Sequence, residues 1–325
     1  MTRILSYNIL AGGNRRVDQL TKIISSANPD IVGLVEANSL QAVEELAGRL
    51  GMQYRMNANP AKEKDWQIAL LSRLQIVETY SHIHADILTK PILEACIEEK
   101  DGRKLTVFVA HLSASFYQAR GGDGIRRREI QEILRIMAPK RGIPHLLMGD
   151  FNAIAPGDRL KASALLRYLI TMDLQYRRNP HEDFGHPNLD AVVPEPLRFL
   201  YPLLQTIPRS KVLCALIDEA GSLYASRGSI SMLREAGYID CFRYTNPYDP
   251  GFTCPAAAPA GRIDYIFASP EIAGRLSRCC VITEGNGLHS DEASDHLPIV
   301  AEFGEDTEGS ERPARDSHGQ AFRIV

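Results

Sequence analysis

The sequence predicts an α/β fold in which two sheets pack face to face and helices cover their outer sides. Short apolar runs alternate with segments of helical periodicity along the chain. The predicted strands also cluster in two halves, with helices between several of them, which is typical of layered α/β architectures. At 325 residues and 44% hydrophobic residues, the chain is long enough to bury one large core or two modest ones.

The N-terminal segment shows the pattern clearly. Residues 3–9 predict a strand, followed by apolar residues at helical spacing, and residues 31–35 predict a second, buried strand. The next helix is expected to begin with an N-cap at Asn38 and to end at Gly51. Glu36 is therefore predicted to lie at the C-terminal end of a strand, just before a helix.

The same arrangement recurs in the middle of the chain. His111 directly follows the apolar run 105–110, and Asp150 directly follows the run 146–149. A helix is predicted between them and ends near Pro139. Ligands of such sheets gather where strands end and loops diverge, so these polar residues are candidates for a functional site.

The last predicted strands cover residues 262–267 and 296–303. Asp264 is expected in the interior of the first of them, among apolar residues. A buried carboxylate is costly without a polar partner, and a histidine would serve. Asp264 is therefore predicted to orient a histidine side chain.

Two segments depart from the pattern. Residues 156–230 hold several prolines and amphipathic pieces, and they predict a partly helical insertion beside the site, a candidate substrate-selecting cover. Residues 304–325 are rich in charged residues, Ser and Gly, and they predict a disordered tail. The main domain is therefore expected over residues 1–303.

Composition points to an ordinary globular protein. The net charge of −3 excludes a global basic field, so any polyanion binding must be local. The six cysteines show no C-x-x-C spacing, which predicts free thiols. No stretch approaches the roughly 18 consecutive apolar residues of a spanning helix, and the chain starts without a basic leader. We expect a cytoplasmic protein.

Paired polar residues suggest phosphate chemistry. Asp150 and Asn152 are two residues apart, so in extended backbone both face one side and can hold an attacking water and a phosphoryl oxygen. The alternative is that this segment is simply an Asx turn. Glu36 is a hard oxygen ligand of the kind that Mg²⁺ prefers, although a glutamate before a helix can also cap it. Asn8 can orient that carboxylate.

Histidines supply the second half of the predicted site. The ordinary pKa of histidine, about 6.5, allows His111 and His296 to donate to a phosphate oxygen or exchange protons near neutral pH. Asp295 and His296 are adjacent, so their side chains point in different directions, one towards a metal or a partner and the other towards substrate. The alternative is a turn capped by Asp295 with a surface histidine.

Taken in order, these motifs resemble the endonuclease/exonuclease/phosphatase superfamily, the DNase I-like proteins, over essentially the whole chain up to Phe303. The resemblance implies a four-layered α/β/β/α sandwich of two mixed sheets and a divalent-metal phosphoesterase site at one edge. The matching series is Ser6-Tyr7-Asn8-Ile9-Leu10, Glu36, Ala110-His111, Gly149-Asp150-Phe151-Asn152, Arg262-Ile263-Asp264-Tyr265 and Ser294-Asp295-His296-Leu297-Pro298.

Carried over by position, the resemblance makes Glu36 the principal Mg²⁺ ligand, with Asn8 and Asp295 nearby and Mn²⁺ as a substitute. It implies that Asp150 and Asn152 orient the nucleophile and the phosphate. His111, and His296 oriented by Asp264, would contact the phosphate and assist proton transfer.

Some positions depart from the family pattern. Val35 precedes Glu36 where the family often has glutamine, and the segment 67–73 lacks the glycine of the corresponding family strand. The extra carboxylate that some members carry in that region has only Asp65 as a weak candidate.

The substrate stays open at the level of sequence. The expected reaction is hydrolysis of a phosphodiester, nuclease-like or of a small molecule, with a phosphomonoesterase, a lipid phosphodiesterase or a non-catalytic scaffold as alternatives. The basic stretch 120–141 can bind nucleic acid, but such a run is also typical of a solvated helix face. His82, His84 and Asp86 alternate as metal ligands do, and also as any half-exposed strand does.

Overall fold

The structure is a computed structural model that describes residues 1–57, 67–84, 86–114, 120–178, 189, 193 and 195–305. Asp65 and most of the predicted tail lie outside the described residues. The helices are α1 (Val17–Ala27), α2 (Leu40–Leu50), α3 (Arg120–Met137), α4 (Ala162–Arg178), α5 (Tyr201–Thr206), α6 (Lys211–Tyr224), α7 (Gly228–Glu235), α8 (Cys241–Thr245) and α9 (Pro270–Ala273).

Strands make up two six-stranded sheets and one small hairpin. In chain order they are β1 (Thr2–Asn8), β2 (Ile31–Val35), β3 (Gln53–Met56), β4 (Ile68–Ser72), β5 (Gln75–His82), β6 (Ile92–Glu98), β7 (Lys104–His111), β8 (His145–Asp150), β9 (Ile239–Asp240), β10 (Asp264–Ala268), β11 (Leu276–Val281), β12 (Glu284–Gly285), β13 (Leu288–His289) and β14 (Ile299–Phe303).

Both large sheets are mixed. The first has the order β11-β14-β1-β2-β4-β3, and the second has the order β5-β6-β7-β8-β10-β9. The parallel pairs β1–β2 and β7–β8 lie at the centre of their sheets, with antiparallel strands on either side. Since parallel neighbours end at the same edge, these pairs bring polar strand ends together.

Three apolar clusters lie between the layers of the sandwich and hold them together. The middle cluster lies between the sheets and is built from residues such as Ile4 of β1 and Met148 of β8. Leu20 of α1 and Val43 of α2 pack against the outer side of the first sheet, and Ile133 of α3 packs against the outer side of the second. The four-layered α/β/β/α sandwich predicted from the sequence is thus confirmed.

Gly149 shows how tightly the central strands of the second sheet approach each other. Its φ is +141°, and a Cβ added there would lie 1.8 Å from the carbonyl oxygen of Ala110 on the neighbouring strand. Only glycine fits this position, directly before Asp150.

Three predicted element boundaries were wrong. Helix α2 is capped by Ser39, whose Oγ accepts from the Ala42 amide at 3.2 Å, whereas Asn38 Oδ1 accepts from the Gln67 amide at 2.7 Å. The stop at Gly51 is confirmed, with φ of +64°.

Strand β10 begins at Asp264 rather than at residue 262, because the amides of Ile263 and Asp264 donate to Thr253 Oγ1 instead of a neighbouring strand. Strand β14 begins at Ile299, directly after Pro298, which has no amide proton to donate. Asp264 therefore opens its strand, and His296 lies in the loop before the last strand.

The predicted insertion contains α4, α5 and α6 in its described part. Helix α4 packs against α6 and around Leu169, next to the loop that carries Ala258. Several large apolar side chains of α6 are exposed, including Val212, Leu216 and Leu223.

Candidate active site

Asp150 is the centre of a buried polar cluster that both sheets build. His111 and Asp264 are its register neighbours on β7 and β10, so three polar residues lie side by side in the second sheet. Asp150 Oδ2 accepts from Asn8 Nδ2 of β1 at 3.2 Å and lies 3.5 Å from His111 Nε2. His296 Nε2 is 3.8 Å from the same oxygen. The structure thus brings together five residues that the sequence predicted.

His296 is fixed by a carboxylate behind it. Its Nδ1 lies 2.8 Å from Asp264 Oδ2, so Nε2 faces Asp150. Burial by itself would lower the pKa of His296. The charge of the Asp264 carboxylate and its hydrogen bond act in the opposite direction, and the pKa of His296 lies well above its ordinary value of 6.5. The predicted orientation of a histidine by Asp264 is present, and this imidazole is protonated near neutral pH.

The loop that carries His296 is tied to the first sheet. Ser294 Oγ donates to the carbonyl oxygen of Asn8 at 2.7 Å and accepts from the His296 amide at 3.3 Å. This tie places a loop residue within reach of strand ends from both sheets.

Burial separates the protonation states of the other two titratable groups. It raises the pKa of Asp150 to about 7, with the charge of His296 acting in the opposite direction. Burial also lowers the pKa of His111 well below 6.5, and the positive charge of Lys90 adds to this effect. His111 is therefore neutral near pH 7, next to a carboxyl group that exchanges its proton there.

The Gly-Asp-Phe-Asn segment is both a turn and part of the site. Asp150 Oδ1 accepts from the Asn152 amide at 2.9 Å, and Asn152 has a φ of +48°. The Asx-turn alternative is therefore correct for the backbone. Asn152 Nδ2 donates to the Leu112 carbonyl oxygen at 3.0 Å, so the turn also holds this amide beside Asp150.

Glu36 faces the end of β1 rather than the helix after it. Its Oε1 accepts from Asn8 Nδ2 at 3.0 Å, its Oε2 accepts from the Ala11 amide at 2.9 Å, and its φ is +58°. Because Ser39 caps α2, the capping alternative for Glu36 is wrong.

The charge of Arg16 is influenced by the two acids predicted to bind metal. Burial lowers the pKa of its guanidinium, while the charges of Asp295 and Glu36 raise it. Arg16 Nη2 also donates to the Ile9 carbonyl oxygen at 3.1 Å, which holds the loop after β1. The charges of Asp295 and Glu36 therefore both act on this half-buried arginine.

The residues present fit a divalent cation. Carboxylate and amide oxygens are the ligands that hard cations such as Mg²⁺ take. Atoms of Asp150, Asp264 and His296 that could ligate an ion lie within 4.8 Å of one another. In addition, Asp264 Oδ1 is buried without a hydrogen-bond partner among the described residues. Buried polar atoms almost always have a partner, and a bound cation would supply one here.

Sequence reasoning missed two cations of this site, Arg16 and Lys90. The strand-end pattern selects polar residues at the C-terminal ends of strands, whereas Lys90 precedes β6, which runs antiparallel to β7. The start of β6 therefore lies beside the end of β7 and next to His111. A lysine directly before a proline and an apolar run was the available signal.

The described part of the insertion lies near Asp295. Tyr168 of α4 is buried, and burial together with the charge of Asp295 raises its pKa. The Lys161 amide donates to Ala260, and the Ala256 amide of the same loop donates to the Asp295 carbonyl oxygen at 2.7 Å.

The basic stretch 120–141 is not uniformly solvated. Arg126 is buried and donates to the Ser113 carbonyl oxygen at 3.1 Å, and the charge of Asp150 acts on it. Arg127 and Arg128, by contrast, are exposed. One arginine of the stretch therefore faces the site, and its neighbours face solvent.

His82 and His84 are engaged by glutamates. His82 Nε2 lies 2.8 Å from Glu94 Oε2, and His84 Nδ1 hydrogen-bonds to Glu132. Among the described residues, this pair does not belong to a group that could hold a metal ion. His82 is the last residue of β5, whereas His84 and Asp86 follow the strand, so the predicted alternation of all three on one strand face is wrong.

The fold and this site define a class of protein: a two-sheet sandwich with buried acids and histidines at its strand ends, as in phosphoester hydrolases. The model of the Endonuclease/Exonuclease/phosphatase family matches residues 5–296. The chain belongs to this family, whose members are hydrolases that act on phosphoester bonds.

Solved structures agree with the fold. An AP endonuclease from Archaeoglobus fulgidus is 16% identical, with a TM-score of 0.60 over 93% of this chain and 99% of its own. A 3′ phosphatase from Neisseria, bound to a product DNA hairpin, is 16% identical, with a TM-score of 0.58 over 93% and 99% of the two chains. A mannosyl-6-phosphatase from Bacteroides thetaiotaomicron is 17% identical, with a TM-score of 0.57 over 93% and 99%.

No match was found among curated proteins. Within the described residues, no helix is both long and apolar enough to cross a membrane.

Proposed function

We propose that this protein is a Mg²⁺-dependent phosphodiesterase that activates a water for in-line attack on phosphorus. The observation that carries the proposal is the placement of Asp150, whose Oδ2 is within 3.8 Å of Asn8, His111 and His296 side-chain atoms. A buried carboxyl group with a pKa of about 7 can accept a proton from water near neutral pH.

Glu36, Asn8 and Asp295 would hold the Mg²⁺, and Mn²⁺ is a chemically similar substitute. When bound, the ion supplies positive charge that offsets the charge developing on the phosphoryl and leaving oxygens.

The remaining steps are assigned to side chains. Asp150 accepts a proton as the water oxygen bonds to phosphorus, and Asn152 orients the phosphoryl group. Protonated His296, held by Asp264, gives a proton to the leaving oxygen as the P–O bond breaks. Neutral His111 contacts a phosphoryl oxygen. Hydrolysis needs no covalent enzyme intermediate in this scheme.

The first test is hydrolysis of bis-p-nitrophenyl phosphate with Mg²⁺ and with excess EDTA, on the wild type, Asp150→Ala and Asp101→Ala. Asp101 lies in an exposed turn and serves as the control. We expect Asp150→Ala to lower turnover by at least about 10²-fold, on the scale of positioned acid–base groups. Near-normal activity of Asp150→Ala would refute the assignment. Inactivity of the wild type towards every ester, with or without metal, would instead support a non-catalytic scaffold.

The second test compares single-stranded and duplex nucleic acids, nucleotides, inositol phosphates and phospholipids. Nucleic acid is a candidate because Arg127 and Arg128 are exposed next to Arg126, which faces the site. We expect replacement of Arg127 and Arg128 by Gln to weaken nucleic-acid binding and to reduce the dependence of that binding on salt. A profile limited to monoesters would refute the phosphodiesterase and favour a phosphatase.

A lipid phosphodiester is the second candidate, because the insertion beside the site carries exposed apolar side chains. Leu216 and Leu223 of α6 and Phe199 before α5 are exposed. Exposed apolar patches of this kind mark interaction sites. Hydrolysis of vesicle lipids that falls in Leu216→Asp, with unchanged hydrolysis of the soluble diester, would support this candidate.

A further inference from the structure

Lys90 is a buried lysine at the edge of the proposed active site. Only 8% of its surface is exposed, and its Nζ donates to the Leu112 carbonyl oxygen at 3.1 Å. Taking an ammonium group out of water is costly unless the charge is paired and hydrogen-bonded. Packing alone therefore does not explain why a lysine occupies this position.

The carbonyl oxygen that Lys90 contacts is a junction of the site. It also accepts from Asn152 Nδ2 at 3.0 Å, and the Leu112 amide donates to the Asp150 carbonyl oxygen at 2.9 Å. Leu112 directly follows His111. The ammonium group of Lys90 thus lies next to the amide that is assigned to the phosphoryl group, with one oxygen between them.

A second set of contacts fixes the backbone around Lys90. Glu129 of α3 is buried and accepts from the Thr89 amide at 3.2 Å with Oε1. Its Oε2 accepts from the Ser113 amide at 3.0 Å. One carboxylate therefore joins the residue before Lys90 to the residue after Leu112. The ammonium group is held on a prepared framework, which is a requirement for precise placement of a charged group in a site.

The charge of Lys90 reaches the reacting groups. Burial lowers the pKa of Lys90 to about 8, while the charges of Asp150 and Glu36 raise it. Lys90 in turn contributes to the lowered pKa of His111. At pH 7 the side chain is a cation. Its positive charge can stabilise the negative charge that develops on the phosphoryl oxygens during attack on phosphorus.

We propose that Lys90 is a further catalytic residue, whose ammonium group donates to a non-bridging phosphoryl oxygen that Asn152 also orients. The inference rests on the proposed function, because it assigns a phosphoryl group to this side of Asp150. It implies a substrate whose phosphoryl group enters between Lys90 and His296, with both cations provided by the protein itself.

The test measures binding of inorganic phosphate at pH 7 by titration calorimetry, with EDTA and separately with Mg²⁺. The proteins are the wild type, Lys90→Gln, Lys90→Met, Lys90→Arg and the control Lys100→Gln. Lys100 is exposed and pairs with Asp30 on the surface. Thermal melts accompany each titration, and kcat and KM are measured on bis-p-nitrophenyl phosphate.

We expect both uncharged variants to bind phosphate at least about tenfold more weakly and to lose about 10²-fold in kcat/KM, as when one oxyanion donor is removed. Lys90→Arg should recover part of both, and Lys100→Gln should match the wild type. Two uncharged variants of different polarity guard against misfolding of one.

Wild-type phosphate affinity and wild-type kcat/KM in Lys90→Gln and Lys90→Met would overturn the inference, even if both melt at lower temperature, because only a structural role would remain. A wild type that binds phosphate through Lys90 but hydrolyses no ester would refute the proposed function and leave the phosphate contact standing. Ester hydrolysis that is unchanged in the Lys90 variants would refute the role of Lys90 and leave the proposed function standing.

Discussion

Replacement of Arg262 by methionine should be among the most destabilising single changes in the protein. Arg262 is fully buried, and its guanidinium donates to both carboxylate oxygens of Asp240 at 2.7 Å and to Asp158 at 2.8 Å. Its guanidinium carbon also lies 4.5 Å from the ring centroid of Tyr265. Asp158 keeps a 2.8 Å contact with Arg243, but Asp240 loses both charged donors.

Removing one partner of a buried ion pair typically costs about 3–5 kcal/mol, since the remaining charge stays buried without compensation. Because Arg262 has no exposed surface, solvent screening does not reduce this figure. We therefore expect Arg262→Met to lower the free energy of unfolding by about 3–5 kcal/mol, measured by urea denaturation followed by circular dichroism.

Two controls separate the ion network from simple loss of a side chain. Arg103→Met breaks the exposed pair with Asp101 and should cost less than about 1 kcal/mol. Asp240→Leu in the Arg262→Met background removes both partners and should restore part of the lost stability. A cost below about 1 kcal/mol at pH 7, or no recovery in the double variant, would refute this reasoning.

Three further predictions concern the site and its frame. Asp264→Asn should lower the pKa of His296, read from its imidazole resonances in an NMR titration, and reduce turnover by at least about 10²-fold; an unchanged pKa would contradict the pairing. Gly149→Ala should prevent folding or cost more than about 3 kcal/mol, because its Cβ would overlap a backbone oxygen; a wild-type melting curve would contradict this. Burial lowers the pKa of His145 below 6.5, so the unfolded chain binds more protons there and stability should fall as pH drops through 6.5. Urea midpoints from pH 7.5 to 5 should change less in His145→Gln, and equal slopes would contradict the assignment.

Local patterns predicted the strand ends well because their signal is local. His111 and Asp150 each close an apolar run, and each is the last residue of its strand, while the first strand ends at Asn8, one residue before its predicted end. The helix stop at Gly51 follows from the freedom of glycine to adopt a positive φ.

Boundaries that depend on distant partners were missed. Asp264 opens β10 rather than lying inside it, because Thr253 Oγ1 takes the preceding amides. Arg126 belongs to the basic stretch predicted either to bind nucleic acid or to be a solvated helix face, yet it is buried and donates to the carbonyl oxygen of Ser113. Neither contact leaves a trace in the residues next to it in sequence.

The sequence by itself determined the order of the motifs, the layered α/β class and the identity of the acids, amides and histidines that are proposed for the site. These follow from periodicity and from the chemistry of individual side chains. Only the tertiary structure decided that Asn8 and Asp150, from different sheets, share a hydrogen bond, and that Lys90 and Arg16 bring charge to the same cluster. Strand order and sheet packing set these contacts, and both arise from pairings between segments far apart in the chain.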